Sequence, residues 1–313
     1  MYGHIPVSVP RRKTHRRKFL WAAFSLLFIL LLFTAITIYI GLSMTRTEPR
    51  ELSLNPAMYS MPYEEVSFVS AHDDRVALNG WLMEPEEDPV SSVIMSHGYR
   101  GNRHESGAGF FALAQGLLGE GHRVLMFDFR NAGESEGDLT SIGILERYDV
   151  LGAVDYMTTH FEEPLLLYGV SMGASASLSA AALTDEVDGV IADSPFSDLE
   201  RYLKANLPVW TGLPAIPFTS LTMTLIPHLV GIEPAELSPI RDLEAIHPRP
   251  VLFIHGDEDD YIPHTESIQM VETYEDAFEL WIPEGADHVQ GFYKYPEEYL
   301  AYVLGFFAST VQD

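Results

Sequence analysis

Cysteine is absent from the 313 residues, which excludes disulfide frameworks, thiolate nucleophiles, Cys-liganded zinc and iron–sulfur clusters. Lysine is almost absent after residue 18, where only Lys204 and Lys294 remain. The formal net charge of −26 therefore hides an asymmetry: Arg11, Arg12, Lys13, Arg16, Arg17 and Lys18 stand at the N-terminus without an acid, and residues 19–313 carry 13 bases against 45 acids. Charge of that sign repels phosphate backbones, so nucleic acid is not expected as a partner. Also missing are HExxH, EF-hand spacing, a GxGxxG after a strand and a GxxxxGK[ST] loop, so neither a metal nor a cofactor is expected. No repeat of 20–50 residues marks a solenoid or propeller. What is present is ample apolar material: 47% of the residues are hydrophobic, enough for a substantial core.

From Phe19 to Leu42 an apolar run is interrupted only by Ser25, Thr34, Thr37 and Gly41 and holds no charge. About 20 such residues cross a bilayer core as a helix. Trp21 and Tyr39 stand near its two ends as interfacial aromatics, and the basic cluster immediately precedes it. The expectation is a single-pass cell-membrane protein: a basic cytoplasmic tail at 1–18, a transmembrane helix at 19–42 and an extracellular remainder. A cleaved signal peptide is the alternative, with Gly41 and Ser43 as a weak small-residue pattern, but signal peptides usually have a shorter apolar region.

Residues 43–63 are polar and punctuated by Pro49, Pro56 and Pro62, a pattern expected of a linker. Beyond it, strand and helix signals alternate. Strands are expected at 65–70, 76–83, 92–96, 123–129, 164–170, 189–193, 251–255 and 278–282, and helices at 110–118, 142–160, 172–183, 265–274 and 296–308. The later strands are short, continuously apolar runs of the kind buried on both faces of a parallel sheet. An initial hairpin followed by βα units gives a mostly parallel α/β domain over residues 64–313. Residues 200–249 lack a strand signal and are rich in apolar residues and proline, and are expected to form a small helical cap over one end of the sheet.

Two GxSxG patterns occur. Such a motif matters where a strand turns sharply into a helix, because the flanking glycines allow a close turn that exposes the serine Oγ. Gly169-Val170-Ser171-Met172-Gly173 follows Leu165-Leu166-Leu167-Tyr168 and opens into the small-residue segment from Ala174. Gly133-Glu134-Ser135-Glu136-Gly137 sets its serine between two carboxylates and has no helix directly after it. Ser171 is therefore the expected nucleophile and Ser135 a loop residue. A serine needs a base, oriented in turn by an acid, and in this kind of fold the chain order is Ser, acid, His. His288 follows the expected strand 278–282, whereas His228, His247, His255 and His264 are less well placed. The acid belongs to the turn from Gly256 to Pro263, where Asp257, Asp259 and Asp260 are all candidates. Glu146 and Asp149 read as solvent-exposed capping carboxylates at a helix start.

These motifs together resemble the α/β-hydrolase superfamily, and within it the serine aminopeptidase-like and acyl-esterase branch, some of whose bacterial members are membrane anchored. His97-Gly98-Tyr99 is similar to the oxyanion loop, Asp128-Phe129-Arg130 with Gly133 and Ser135 to the DxR..GxS loop, Gly169 to Gly173 to the nucleophile elbow, His255 to Pro263 to the HGxxD..VP loop, and Gly285 to His288 to the histidine loop. Asn131 departs from the family, which often has Gly there. The resemblance implies the α/β-hydrolase fold, with helices on both faces of the sheet, and assigns Asp259 as the triad acid. By position, the backbone N–H groups of Tyr99 and Met172 are the oxyanion donors.

The expected activity is that of a serine hydrolase with a Ser-His-Asp triad and an acyl-enzyme intermediate, most simply a carboxylesterase on small to medium apolar esters. A serine peptidase or aminopeptidase on small peptides and a non-catalytic membrane-anchored interaction module are the alternatives. Oligomeric state is not encoded in any of these patterns.

Overall fold

The computed structural model describes residues 13–312; residues 1–12 of the expected basic tail lie outside the described residues. Eight strands form one sheet: β1 (Glu64–Val69), β2 (Ala77–Met83), β3 (Ser91–Ser96), β4 (His122–Phe127), β5 (Leu165–Val170), β6 (Gly189–Asp193), β7 (Val251–Ile254) and β8 (Phe278–Trp281). Their spatial order is β1-β2-β4-β3-β5-β6-β7-β8. β2 pairs antiparallel with both β1 and β4, and the remaining pairs are parallel. After β3 the chain adds β4 on one side and β5 on the other. That reversal opens a crevice at the carboxyl ends of β3 and β5, the usual place for a site in such sheets.

The continuous apolar runs arise because both sheet faces are covered. Along β5, Leu165 and Leu167 belong to one core cluster, while Leu166, Tyr168 and Val170 belong to the other. The first cluster packs under α3 (Glu146–His160), α4 (Met172–Ala181) and α7 (Pro239–Ile246); the second packs under α2 (Phe110–Gly119) and α10 (Pro296–Gln312). Each fully buried Leu, Ile or Phe contributes about 1.5–3 kcal/mol, so both helical layers are firmly held. Two short helices, α8 (Thr265–Val271) and α9 (Gly291–Lys294), complete the domain.

The expected cap splits in two. α5 (Leu199–Thr211), the turn Ala215–Thr219 and α6 (Ser220–Val230) form the apolar cover, whereas α7 packs on α4 through the buried Leu243 and Ile246. Its strongly amphipathic sequence, with apolar residues at 240, 243 and 246, assigns it to the sheet-covering layer.

Two further expectations are corrected. Residues 43–63 do not run free. α1 (Lys13–Thr45) extends three residues beyond the expected span, and the following segment is tied down by Tyr99 Oη donating to Met44 O at 2.6 Å, Thr140 N to Thr45 O at 2.7 Å and Asn131 Nδ2 to Thr47 O at 3.0 Å. Asn131 has φ +54°, a left-handed conformation that Asn tolerates. Glu146 and Asp149 are fully buried. Asp149 takes a paired hydrogen bond from the Arg130 guanidinium, with its nearest contact at 2.6 Å, and Glu146 accepts from Ser141 N and Gly143 N, each at 2.8 Å. Burial is affordable because each carboxylate is fully partnered.

α3 approaches the end of β1 so closely that a Cβ added at Gly152 would lie 2.2 Å from Val69 O. Gly152→Ala should therefore cost about 1–3 kcal/mol by overpacking. The check is the midpoint of thermal unfolding, which should fall by about 2–4 °C per kcal/mol in a domain of this size.

Candidate active site

Ser171 sits between β5 and α4 at φ +54°, ψ −120°, a conformation that costs a non-glycine residue energy and persists only where its surroundings enforce it. Backbone packing enforces it here. A Cβ at Gly169 would meet Gly173 O at 2.5 Å, and one at Gly173 would meet both Ser96 O and His97 O at 2.4 Å. The Ser171 N–H donates to Asp193 O at 2.7 Å, fixing the turn against the end of β6.

The structure brings Ser171, His288 and Asp259 together from three separate strand ends. His288 Nε2 is 2.9 Å from Ser171 Oγ, and His288 Nδ1 is 2.6 Å from Asp259 Oδ2. Asp259 Oδ1 accepts from Tyr261 N and Ile262 N, both at 2.8 Å. Burial by itself would raise the Asp259 carboxyl pKa, but hydrogen bonds from His255 and His288 outweigh it and hold the group well below the usual carboxylate range. Asp257 instead accepts a short bond from Gly285 N, and Asp260 is exposed.

The two expected oxyanion donors also meet at this point. Tyr99 follows β3, and Met172 is the first residue of α4, where helix geometry leaves N–H groups free. Among the described residues neither N–H has a protein acceptor, and both residues line the cavity that contains Ser171 and His288. His97 anchors the first of them: its Nδ1–H donates to Gly98 O at 2.8 Å and its Nε2 accepts from Phe129 N at 3.1 Å. Burial depresses the His97 pKa, in keeping with this neutral tautomer.

Ser135 is held elsewhere, donating to Asp128 O at 2.7 Å and accepting from Asn79 N at 2.9 Å. Its role is to fasten a loop to β2.

Several supporting residues escaped the sequence reading. His255 lies fully buried with Nε2 2.8 Å from Ile262 O and 3.2 Å from Asp259 Oδ2; its i, i+4 spacing to the acid was the available signal. Glu105 accepts from Gly98 N at 3.1 Å and lines the cavity. Next to His288 in the chain, Val289 N donates to Ser194 Oγ at 3.4 Å, and Asp193 accepts from Ser194 Oγ at 2.8 Å and from Tyr299 Oη at 2.7 Å. Burial raises the Asp193 carboxyl pKa despite these bonds. Nothing in the local sequence distinguishes that network.

The cavity measures about 810 Å³. Its walls are largely aromatic and aliphatic, including Ile142, Phe196, Tyr202 and Trp210, and Ile40, Ser43 and Met44 of α1 also contribute.

A family model described as the alpha/beta hydrolase fold matches residues 92–229. Together with the sheet order and the elbow, this match shows the alpha/beta hydrolase fold. Among individual proteins, the chain is 29% identical to the uncharacterized protein YqkD of Bacillus subtilis over 235 residues, covering 74% of this chain and 75% of that one. A Pyrococcus furiosus esterase superposes with a TM-score of 0.69 at 24% identity, over 84% of this chain and 98% of the esterase. An acylaminoacyl peptidase of Pyrococcus horikoshii superposes with a TM-score of 0.61 at 17% identity, over 83% of this chain and 44% of the peptidase.

His97→Leu removes the acceptor of a buried N–H and the donor to Gly98. Leaving Phe129 N unpaired should cost roughly 1–3 kcal/mol, read as a lower urea midpoint with an unchanged denaturant slope.

Proposed function

We propose that the protein is a serine hydrolase acting on carboxylic esters, with Ser171 as nucleophile, His288 as general base and acid, and Asp259 as the residue orienting His288. The observation that carries this reading is the continuous hydrogen-bonded chain from Ser171 Oγ through His288 to Asp259, built on a strained elbow.

His288 Nε2 takes the hydroxyl proton as Ser171 Oγ bonds to the ester carbonyl carbon. The carbonyl π electrons move to oxygen, where the N–H groups of Tyr99 and Met172 receive the negative charge. Collapse breaks the bond to the alkoxy oxygen, which leaves as an alcohol carrying the proton from His288. Water then repeats the sequence on the acyl-enzyme, releasing the acid and restoring Ser171. Asp259 keeps the Nδ1–H tautomer and stabilises the imidazolium in both halves.

Ester preference is favoured by the aromatic and aliphatic walls of the cavity. A peptidase selecting an N-terminal amine requires an uncommitted carboxylate in the cleft. Glu105, the only carboxylate among the cavity-lining residues, has Oε2 engaged by the Gly98 N–H.

The same proposal includes the anchor. The helix from Arg16 to Thr45 is long and apolar enough to cross a membrane, and Phe19, Trp21 and Leu26 are each at least 70% exposed. With the basic cluster on the cytoplasmic side, the hydrolase domain lies outside the cell, as in the membrane-anchored branch that the motifs resemble.

Ser171→Ala should lower kcat on p-nitrophenyl butyrate by about 10⁶ while leaving the fold intact; undiminished hydrolysis by the folded variant would refute the mechanism. Asp259→Asn should lower kcat by about 10⁴ through the wrong histidine tautomer, whereas Asp257→Asn and Asp260→Asn should stay near the parent rate. Aminoacyl p-nitroanilides should be poor substrates beside the ester.

A further inference from the structure

Lys204 and Glu233 bracket 28 consecutive residues without Asp, Glu, Lys or Arg, in a chain that is 20% charged. That stretch is the end of α5, the turn Ala215–Thr219 and α6. Its large apolar side chains are not all turned inward: Val209 is 70% exposed, Ile216 82% and Leu229 54%. Exposed groups of this kind, gathered on an otherwise strongly acidic domain, mark a surface meant for an apolar environment.

The packing of α6 identifies that environment. Phe33 of α1 meets Phe218 edge to face with ring centroids 5.2 Å apart, and a Cβ at Gly41 would lie 2.0 Å from Ile226 Cδ1. Eight residues separate the two contacts along α1, and eight separate Phe218 in the turn from Ile226 in α6, so the turn and α6 run alongside α1 in the same direction. Thr37, Gly41 and Thr45, one helical turn apart, form the buried stripe of α1 that receives it.

Position along α1 translates into depth. A hydrocarbon core of about 30 Å requires about 20 residues, so a span starting after Lys18 reaches Tyr39. A shorter span ending at Phe33 would hold 15 residues and cover only about 22 Å at 1.5 Å per residue. Phe33 therefore lies about 9 Å below the level of Tyr39. The cap turn packed against it lies at the same depth, inside the leaflet nearest the domain. Charge reappears where a water boundary requires it, at Arg46 and Arg50 beyond α1 and at Lys204 and Glu233 beyond the cap.

The cavity holding Ser171 and His288 lies just above this level along α1, because residues 40, 43 and 44 line it. Ile40, Ser43 and Met44 of α1 line it together with Trp210 and Thr211 at the end of α5 and with Ser171 and His288. We propose that the cap is embedded in the membrane leaflet and that the cleft draws its substrate laterally from the bilayer, so that the natural substrate class is a membrane-resident acyl ester whose chain lies between α1 and the cap. This rests on the hydrolase reading above; the membrane position of the cap does not.

Because the chain has no cysteine, a single introduced one is a unique label. The full chain bearing Ile216→Cys, coupled to an environment-sensitive fluorophore, should be quenched by spin-labelled phosphatidylcholine in vesicles and shielded from aqueous iodide. The same label at Glu87→Cys, in the exposed loop at the opposite end of the parallel strands, should behave in the reverse way. Iodide access at residue 216 equal to that at 87 overturns the proposal, whatever the activity.

The second measurement compares monoolein in phosphatidylcholine vesicles with p-nitrophenyl butyrate in water, using the reconstituted full chain. Ile216→Asp should reduce monoolein hydrolysis at least tenfold relative to p-nitrophenyl butyrate hydrolysis. An unchanged ratio, or a parent protein that hydrolyses the soluble ester but not monoolein, overturns the substrate assignment. If neither ester is cleaved and Ser171 resists a fluorophosphonate probe, the hydrolase reading fails and takes the substrate class with it, while lipid quenching at residue 216 still supports the embedded cap.

Discussion

Backbone packed on backbone at Gly173 is the contact on which the arrangement of Ser171, His288 and Asp259 depends. The first turn of α4 rests on the carbonyl oxygens of Ser96 and His97 with no room for a single methyl group. That closeness bends the chain at Ser171 into positive φ and directs its Oγ toward His288. It also brings Met172 beside the loop carrying Tyr99, so one steric constraint sets both the proposed nucleophile and its two proposed oxyanion donors. Around it, hydrogen bonds secure groups that would otherwise drift: His97 holds the loop after β3, His255 and two backbone N–H groups hold Asp259, and the Asp193–Ser194 pair reaches the backbone beside His288.

Much of this was legible in the sequence because the relevant signals are local. A strand buried on two faces must be apolar throughout, and Leu165 to Val170 could scarcely be anything else. The elbow glycines are equally local, being required by contacts within five residues and with one neighbouring strand. Legibility failed where a residue's environment comes from distant chain. Glu146 and Asp149 have the appearance of capping carboxylates, and only the approach of Arg130 and the loop at Ser141 to Gly143 makes their burial tolerable. α7 resembles its neighbours in the cap until Leu243 and Ile246 are seen against α4. Residues 43–51 have a linker's composition because their side chains need no apolar face; it is largely their backbone carbonyls that hold them to the domain, as acceptors for Tyr99, Arg100, Asn102 and Asn131.

The same distinction governs charge. Averaged over the chain, −26 describes an acidic protein, yet no acid falls between residues 205 and 232 of the cap or in the apolar stretch of α1. Where carboxylates are buried they are partnered: Asp128 and Asp149 each face an arginine, while Glu146 accepts from backbone N–H groups and Asp193 from hydroxyls. Where they are not matched they occupy surface that favours hydration and discourages self-association. The protein thus divides into an apolar pole, comprising the exit of α1 and the cap, and an acidic remainder.

α1 is commonly what one would remove first to obtain a tractable soluble enzyme. Here Ile40, Ser43 and Met44 form part of the cleft wall, and Gly41 is in contact with the cap. A chain starting after the helix would retain Ser171, His288 and Asp259 yet have a breached pocket and an unsupported α6. Its preference among esters would then describe a wider and different enzyme, and a substrate profile measured on it would misstate that of the intact protein.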